Sequence, residues 1–204
     1  ERFINKNPKK LPADIIADLL TIGEQAFGNN IGLPHVWAFW WPRFLKVVTW
    51  FAETERLYRR EVKMARTELD GSLVLDAPFG PFTLTAKADR VNEMKDGTIS
   101  IIDYKTGSIP SKKDILLGFS PQLPLEAGIA SAGGFQEVPA NLVSQLEIWR
   151  LTGGDPPGKR HNVGPNINEL ASSALKGFSA LVALYDNPEI PYLSQPNPPY
   201  APLW

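Results

Sequence analysis

Apolar residues recur at helical spacing in three parts of the chain. In residues 12–27 they lie three and four positions apart, with Pro12 suited to a first turn and Gly28 ending the pattern, which predicts a helix. Residues 34–60 continue the helical pattern, and Pro42 is expected to break or restart the helix. Residues 167–182 predict a final amphipathic helix.

The pattern changes to strand-like alternation between residues 61 and 105. Apolar and polar positions alternate along residues 82–89, which predicts a strand with one buried face. A turn is expected around Asp96 and Gly97. Residues 98–105 then predict a second strand, in which two consecutive isoleucines indicate cover on both faces.

The second half of the chain predicts a helix, a strand and the final helix. Ser120 as N-cap and Pro121 in the first turn predict where the first of these begins. Residues 142–151 predict a strand closed by two glycines, and the proline-rich tail from Asn187 is expected to be extended. The order of elements predicts an α/β domain with helices packed on a central mixed sheet.

Composition narrows the chemistry. The 204 residues fit one domain and contain no run of apolar residues long enough to span a bilayer. The absence of cysteine excludes disulfides, thiolate zinc sites and iron–sulfur clusters, and it suits a reducing cytoplasm. With only His35 and His161, a site with several histidine ligands is not expected. The net charge is −1, so any contact with nucleic acid would rest on local basic patches.

Asp103 and Lys105 lie two positions apart on a predicted strand and therefore project from the same face. Asp89, on the preceding strand, offers a second carboxylate, and two carboxylates with waters and phosphate oxygens suit Mg²⁺. Such a metal can activate water for displacement at a phosphodiester. The alternative is a surface ion pair that contributes almost nothing.

The hairpin register tests this interpretation. Asp89 and Asp103 share a sheet face if they oppose each other, which pairs Met94 with Thr98 and leaves a three-residue loop ending at Gly97. A two-residue turn at Asp96 and Gly97 would instead place the two carboxylates on opposite faces. A metal site therefore predicts the three-residue loop and a positive φ at Gly97.

Four segments resemble the RecB-type branch of the PD-(D/E)XK nuclease superfamily, and the nuclease domains of AddB-type subunits of bacterial AddAB helicase–nucleases in particular. These segments are Ala88-Asp89-Arg90-Val91, Ile102-Asp103-Tyr104-Lys105-Thr106-Gly107, Pro121-Gln122-Leu123-Pro124-Leu125-Glu126-Ala127 and Gly133-Gly134-Phe135. The resemblance implies a restriction-endonuclease-like fold, with a central mixed sheet flanked by helices. It also implies Mg²⁺-dependent cleavage, with Mn²⁺ as a substitute metal.

The resemblance also implies residue roles and partners. Asp89 and Asp103 would bind the metal, Lys105 would be the catalytic lysine, and Gln122 would be the glutamine of the helix that follows. The activity implied is that of a DNA exonuclease that processes double-strand break ends for recombinational repair in the bacterial cytoplasm. Its partners would be DNA and an AddA-type helicase–nuclease subunit.

Two departures from the family pattern bear on activity. The usual upstream helix with a metal-binding histidine is missing, and Glu1 fits the last position of that motif. Residues 1–204 are therefore expected to be a single nuclease domain cut from a longer chain, with little activity in isolation. The second departure is Glu126, where the family often has tyrosine. It shares a helix face with Gln122 and is expected to face the site, with its role open.

Several residues allow more than one interpretation. Lys112 and Lys113 are the favoured DNA contacts among three basic pairs, the others being residues 59–60 and 159–160. The aromatic residues of 37–51 predict packing between helices, with base stacking as the alternative. Arg90 should point to the opposite face from Asp89 and be structural. A non-catalytic DNA-binding or scaffolding module is the main alternative function, and a two-carboxylate glycosidase ranks last because it leaves Lys105 without a role.

Overall fold

A five-stranded mixed sheet lies at the centre of the computed structural model, which describes residues 1–191. Its strands follow one another in chain order across the sheet, and only β3 and β4 are parallel. This confirms the predicted α/β architecture. The strands are β1 (Val62–Leu75), β2 (Phe82–Met94), β3 (Ile99–Lys105), β4 (Val143–Leu151) and β5 (Gly158–Asn162).

Two layers of helices cover the sheet. They are α1 (Arg2–Lys6), α2 (Ile15–Phe27), a 3₁₀ turn (Gly28–Gly32), a π-helical turn (Val36–Trp40), α3 (Trp41–Tyr58), α4 (Lys112–Leu116), α5 (Gln122–Ser131) and α6 (Ile167–Tyr185). The first three α-helices share a buried apolar cluster with Ile102 and Trp149 of the sheet. The last three share another with Ile101 and Ile148. Because neighbouring residues of a strand point to opposite faces, these clusters lie on opposite sides of the sheet. No helix in the described part of the chain is long and apolar enough to cross a membrane.

Helix boundaries differ from the sequence predictions at two N-termini. Helix α2 begins at Ile15 rather than near Pro12, because the Asp14 carboxylate accepts a hydrogen bond from the Ala17 N–H and caps the helix. Helix α5 begins at Gln122, and Ser120 is not its N-cap. The first backbone bond of that helix runs to the Pro121 carbonyl, so the helix starts after the predicted cap.

The other long elements follow their patterns closely. Pro42 lies in the first turn of α3, directly after the π-helical turn, and thus restarts the helix as predicted. Strand β4 occupies all but the first of the residues 142–151 predicted for it, and helix α6 occurs where amphipathicity predicted it. The chain at residues 187–190 forms a turn, in which the Ile190 N–H donates to the Asn187 carbonyl, rather than the predicted extended tail. The remainder of that tail, from residue 192, lies outside the described residues.

The hairpin between β2 and β3 has the register that a shared carboxylate face requires. Its residue pairs run from Glu93 opposite Ile99 to Arg90 opposite Ile102, and the Met94 N–H donates to the Thr98 carbonyl. The loop therefore has three residues, and Gly97 has a φ of +88°. Both parts of the register prediction are confirmed.

Arg90 is buried on the sheet face opposite to the predicted site. Its guanidinium donates to both carboxylate oxygens of Glu55, at 2.8 and 2.9 Å, and also to Asn92 and Tyr104. Glu55 also accepts from Arg59 at 2.6 Å. Both Glu55 and Arg90 are 0% exposed. The prediction that Arg90 is structural is confirmed, and Arg59 belongs to the same network rather than to a DNA surface.

The aromatic segment divides into a packed part and an exposed part. Trp41 is buried and contacts Phe27 and Phe44. The packing prediction is wrong for Phe39 and Trp40, which are 68% and 57% exposed. Trp37 is 60% exposed, but its ring stacks on that of the buried Trp41. Base stacking by these three remains a prediction.

Candidate active site

Strands β2 and β3 separate where the candidate site begins. Their last backbone pair is Arg90 opposite Ile102, although β2 extends back to Phe82. At the next position the Asp89 carboxylate reaches across, and its Oδ2 accepts a 2.8 Å hydrogen bond from the Tyr104 N–H. Asp89 thus satisfies a backbone donor that the diverging strand no longer reaches.

A local irregularity in β1 lies opposite Asp89. Glu68 of β1 lies between the pairs Thr67–Arg90 and Leu69–Ala88, and its φ is +56°. On either side of this point the apolar residues of β2 change phase, so Ala88 and Val91 belong to the same buried cluster. Residues three apart in a regular strand would face opposite ways. Asp89 lies two positions before Val91 and therefore shares its face, the face of α4, α5 and α6, and the phase change brings Ala88 to that face as well.

Asp103, Lys105 and Gln122 meet on that face. Asp103 Oδ1 accepts from Lys105 Nζ at 2.9 Å and from Gln122 Nε2 at 3.1 Å. The same amide donates to Glu126 Oε1 at 3.1 Å, one turn further along α5. The predicted approach of Gln122 and Glu126 to Asp103 is observed. One amide group therefore links the two carboxylates of the site.

Burial dominates the electrostatics of the two linked carboxyl groups. Asp103 and Glu126 are each 2% exposed. Burial raises the pKa of Asp103, against the hydrogen bond and charge of Lys105. Burial raises the pKa of Glu126 to about 7; the Gln122 hydrogen bond opposes this shift, and the charges of Asp103 and Asp89 add to it. The hydrogen bond to Asp103 raises the pKa of Lys105, which stays a cation.

The donor set suits a hard divalent cation. Asp103 Oδ2 and Glu126 Oε2 are buried and have no hydrogen-bond partner among residues 1–191, and such atoms are costly without one. Within the same residues, no three His, Asp or Glu side chains form a complete metal-ligand group. A metal held by Asp89 and Asp103 would therefore take its other ligands from water and substrate, as Mg²⁺ commonly does.

Two pockets flank this arrangement. The first, of about 180 Å³, is lined by Asp103, Lys105, Gln122 and neighbouring apolar side chains. The second, of about 440 Å³, is lined among others by Lys112 and His161. Lys112 and Lys113 begin α4, are exposed and form no ion pair within the described residues. Their role as DNA contacts stays a prediction.

Sequence reasoning missed the anchor of Asp89 and the irregularity at Glu68 of β1. The Tyr104 N–H has no sequence signature, because every residue except proline carries that donor. The positive φ in β1 belongs to Glu68 rather than to a glycine, so the residue type does not predict it. His35 is exposed in the described structure, and His161 lies on β5, two strands away from Asp103.

Comparison with known proteins identifies relatives over most of the chain. Residues 2–197 match the model of the PD-(D/E)XK nuclease superfamily. An uncharacterized protein of Rickettsia typhi is 33% identical over 140 residues, which are 64% of this chain and 16% of that protein. An uncharacterized protein of Rickettsia conorii is 40% identical over 77 residues, 38% of this chain and 9% of that protein. The chain thus spans less than a fifth of the length of these relatives. A solved structure, the crystal structure of SSO0001, aligns with 79% of this chain and 74% of its own at 14% identity and a TM-score of 0.38.

Proposed function

Because the chain belongs to the PD-(D/E)XK nuclease superfamily, we propose that it is a Mg²⁺-dependent DNA exonuclease domain whose site is formed by Asp89, Asp103, Lys105 and Gln122. The observation that carries this proposal is the contact of Asp103 Oδ1 with both Lys105 and Gln122, while Oδ2 has no partner among the described residues. A surface ion pair would leave neither a buried carboxylate nor an orphaned oxygen.

Each residue has a distinct role in this proposal. Asp89 and Asp103 would hold the cation, and Asp89 is oriented by its hydrogen bond from the Tyr104 N–H. When bound, Mg²⁺ would polarise the scissile phosphate and lower the pKa of a water bound to it. Lys105 stabilises the negative charge that develops on the phosphate and orients the attacking water. Gln122 holds the Asp103 carboxylate in place through its 3.1 Å hydrogen bond.

Metal binding and cleavage test the proposal separately. Mn²⁺ titration by calorimetry should show binding that is lost in Asp103→Ala. Any Mg²⁺-dependent degradation of linear DNA should fall by at least about 10²-fold in Lys105→Ala. Lys63→Ala is the matched control, because Lys63 belongs to a Glu-x-Lys triplet at the other end of the sheet. Closed circular DNA should resist an exonuclease. Metal binding unchanged by Asp103→Ala would contradict the assignment.

The setting of the domain is the second part of the proposal. The motifs resemble those of AddB-type subunits, and the relatives are several times longer than this chain. We infer that the domain acts in the bacterial cytoplasm within a helicase–nuclease, beside an AddA-type subunit, on the ends of double-strand breaks. Co-purification of the longer protein with such a subunit tests this inference. A longer protein that degrades DNA ends without a helicase partner would contradict it.

A non-catalytic DNA-binding module remains the second candidate. It is favoured by one observation: Lys112 and Lys113 are exposed cations that form no ion pair within the described residues, and DNA binding through such cations needs no metal. Salt-sensitive DNA binding that needs no metal, combined with no Mn²⁺ binding, would support this module over the nuclease.

A further inference from the structure

Three cations form a row across neighbouring strands beside the candidate site. Lys105 of β3 is paired with Arg150 of β4, and Arg150 is paired with Lys159 of β5. Residues paired directly across strands lie on the same face of a sheet. We call Lys105, Arg150 and Lys159 the basic row. It runs from the lysine of the site to the edge of the sheet.

The face on which the basic row lies follows from its neighbours. Two residues away along each strand, and hence on the same face, Asp103 is paired with Ile148, and Ile148 is paired with His161. Ile148 is buried in the cluster beneath α4, α5 and α6, which is the side of the candidate site. Arg160, between Lys159 and His161, points the other way, where it pairs with Glu147 and lies over the Tyr58 ring. The basic row and the site therefore share one side of the sheet.

The outer two members of the basic row are available for a ligand. Arg150 and Lys159 are exposed, and neither forms an ion pair within the described residues. The Arg150 Nε donates to the Gly107 carbonyl at 2.8 Å, which holds the guanidinium beside the loop that follows β3. Burial lowers the pKa of His161, and the charges of Lys159 and Arg150 lower it further.

We propose that the basic row binds the phosphodiester backbone of a DNA strand that leaves the candidate site across β4 and β5. This inference rests on the proposed nuclease function for its ligand. Strands lie about 4.8 Å apart, so the row spans about 10 Å. A row of that length can lie against consecutive phosphates of one strand, which carries a negative charge on every nucleotide. Contacts of this kind position a strand without selecting its sequence.

Salt dependence of DNA binding tests the basic row without requiring cleavage. A fluorescein-labelled oligothymidylate is titrated with the 204-residue chain in EDTA over a series of NaCl concentrations. The slope of log Kobs against log salt is negative, and each lost phosphate contact should reduce its magnitude by about 0.7 for a single strand. Arg150→Gln with Lys159→Gln should therefore lower it by about 1.4, and Lys159→Gln alone by about 0.7. Thermal denaturation checks that each variant folds.

The matched control removes the same charge from the other side of the protein. Lys9 and Lys10 are exposed and lie between α1 and α2, which cover the opposite sheet face. Lys9→Gln with Lys10→Gln should leave the slope unchanged. A wild-type chain that does not bind DNA, or a slope that both double variants alter equally, would overturn the basic row. If Mn²⁺ binding is unaffected by Asp103→Ala but the slopes change as expected, the nuclease proposal fails and the basic row stands.

Discussion

The Asp89 carboxylate accepts a hydrogen bond from the backbone N–H of Tyr104, one residue after Asp103. Asp89 therefore stabilises the fold in addition to any metal binding, and substitutions can separate its effect on stability from its effect on metal affinity. Asp89→Asn keeps a carbonyl acceptor for the Tyr104 N–H, so the free energy of unfolding should change by less than about 0.5 kcal/mol. Mn²⁺ affinity, measured by calorimetry, should fall because the charge is lost.

Asp89→Ala is the companion variant. It removes the acceptor as well as the charge, so unfolding by urea should show an additional loss of about 1 kcal/mol. Equal stability of the two variants would mean that the Tyr104 N–H finds another acceptor.

The raised pKa of Glu126 predicts a pH-dependent effect of Glu126→Gln. The folded protein binds the proton of the Glu126 carboxyl group more tightly than the unfolded chain does. The protonated group therefore adds to the free energy of unfolding below its ordinary pKa of 4.5, and this contribution is lost as pH rises through about 7. In EDTA, Glu126→Gln should be more stable than wild type above pH 7, by up to about 3 kcal/mol, and similar to it below pH 4.5. Glu169→Gln, at an exposed position of α6, should follow wild type at every pH. A stability difference independent of pH would rule out this titration.

The buried pair of Glu55 and Arg90 should be the most sensitive ionic contact in the described structure. Glu55→Gln removes the charge facing two arginines, and breaking a buried pair from one side costs about 3–5 kcal/mol. Denaturant unfolding measures the loss. Glu53→Gln, exposed on the same helix, should change stability by less than about 0.5 kcal/mol. A comparable loss in both variants would mean that helix α3, and not the ion pair, responds to the substitution.

Gly97 should tolerate asparagine better than alanine. A Cβ at this position would meet only the Asn141 side chain, at 3.8 Å, so the cost arises from the φ of +88° rather than from crowding. Gly97→Ala should lower stability by about 1 kcal/mol and Gly97→Asn by less. Gly177→Ala within α6 is the control and should raise stability, because a helical glycine with open space gains from a methyl group. Equal losses at Gly97 for both residues would argue against a left-handed conformation.

Local patterns predicted the elements that carry long apolar repeats, and chemistry predicted the hairpin register. Asp96 and Gly97 alone favour a two-residue turn, whereas the need for Asp89 and Asp103 to share a face selects the three-residue loop that the structure has. Gln122 and Glu126 could be placed together because four residues make one turn of a helix.

Features that depend on distant residues could not be predicted. Glu55 lies 35 positions before Arg90, and no spacing rule connects them. Strand β5 (Gly158–Asn162) contains Lys159, Arg160 and His161 in succession, so it has no apolar alternation and was missed. It is a strand because β4 offers it a partner edge, a condition set by tertiary structure.

The separation of β2 from β3 gives one strand two different kinds of backbone. Residues 90–93 are paired on both sides, with β1 and with β3, whereas residues 82–88 are paired with β1 alone within the described chain. Amide groups on the unpaired edge can exchange hydrogen with solvent without any opening of the sheet, and those between β1 and β3 exchange only when the sheet opens. The protection of backbone amides against hydrogen exchange should therefore change abruptly along β2 at Asp89. The candidate site thus lies at the boundary between a rigid and a more readily opened part of the sheet.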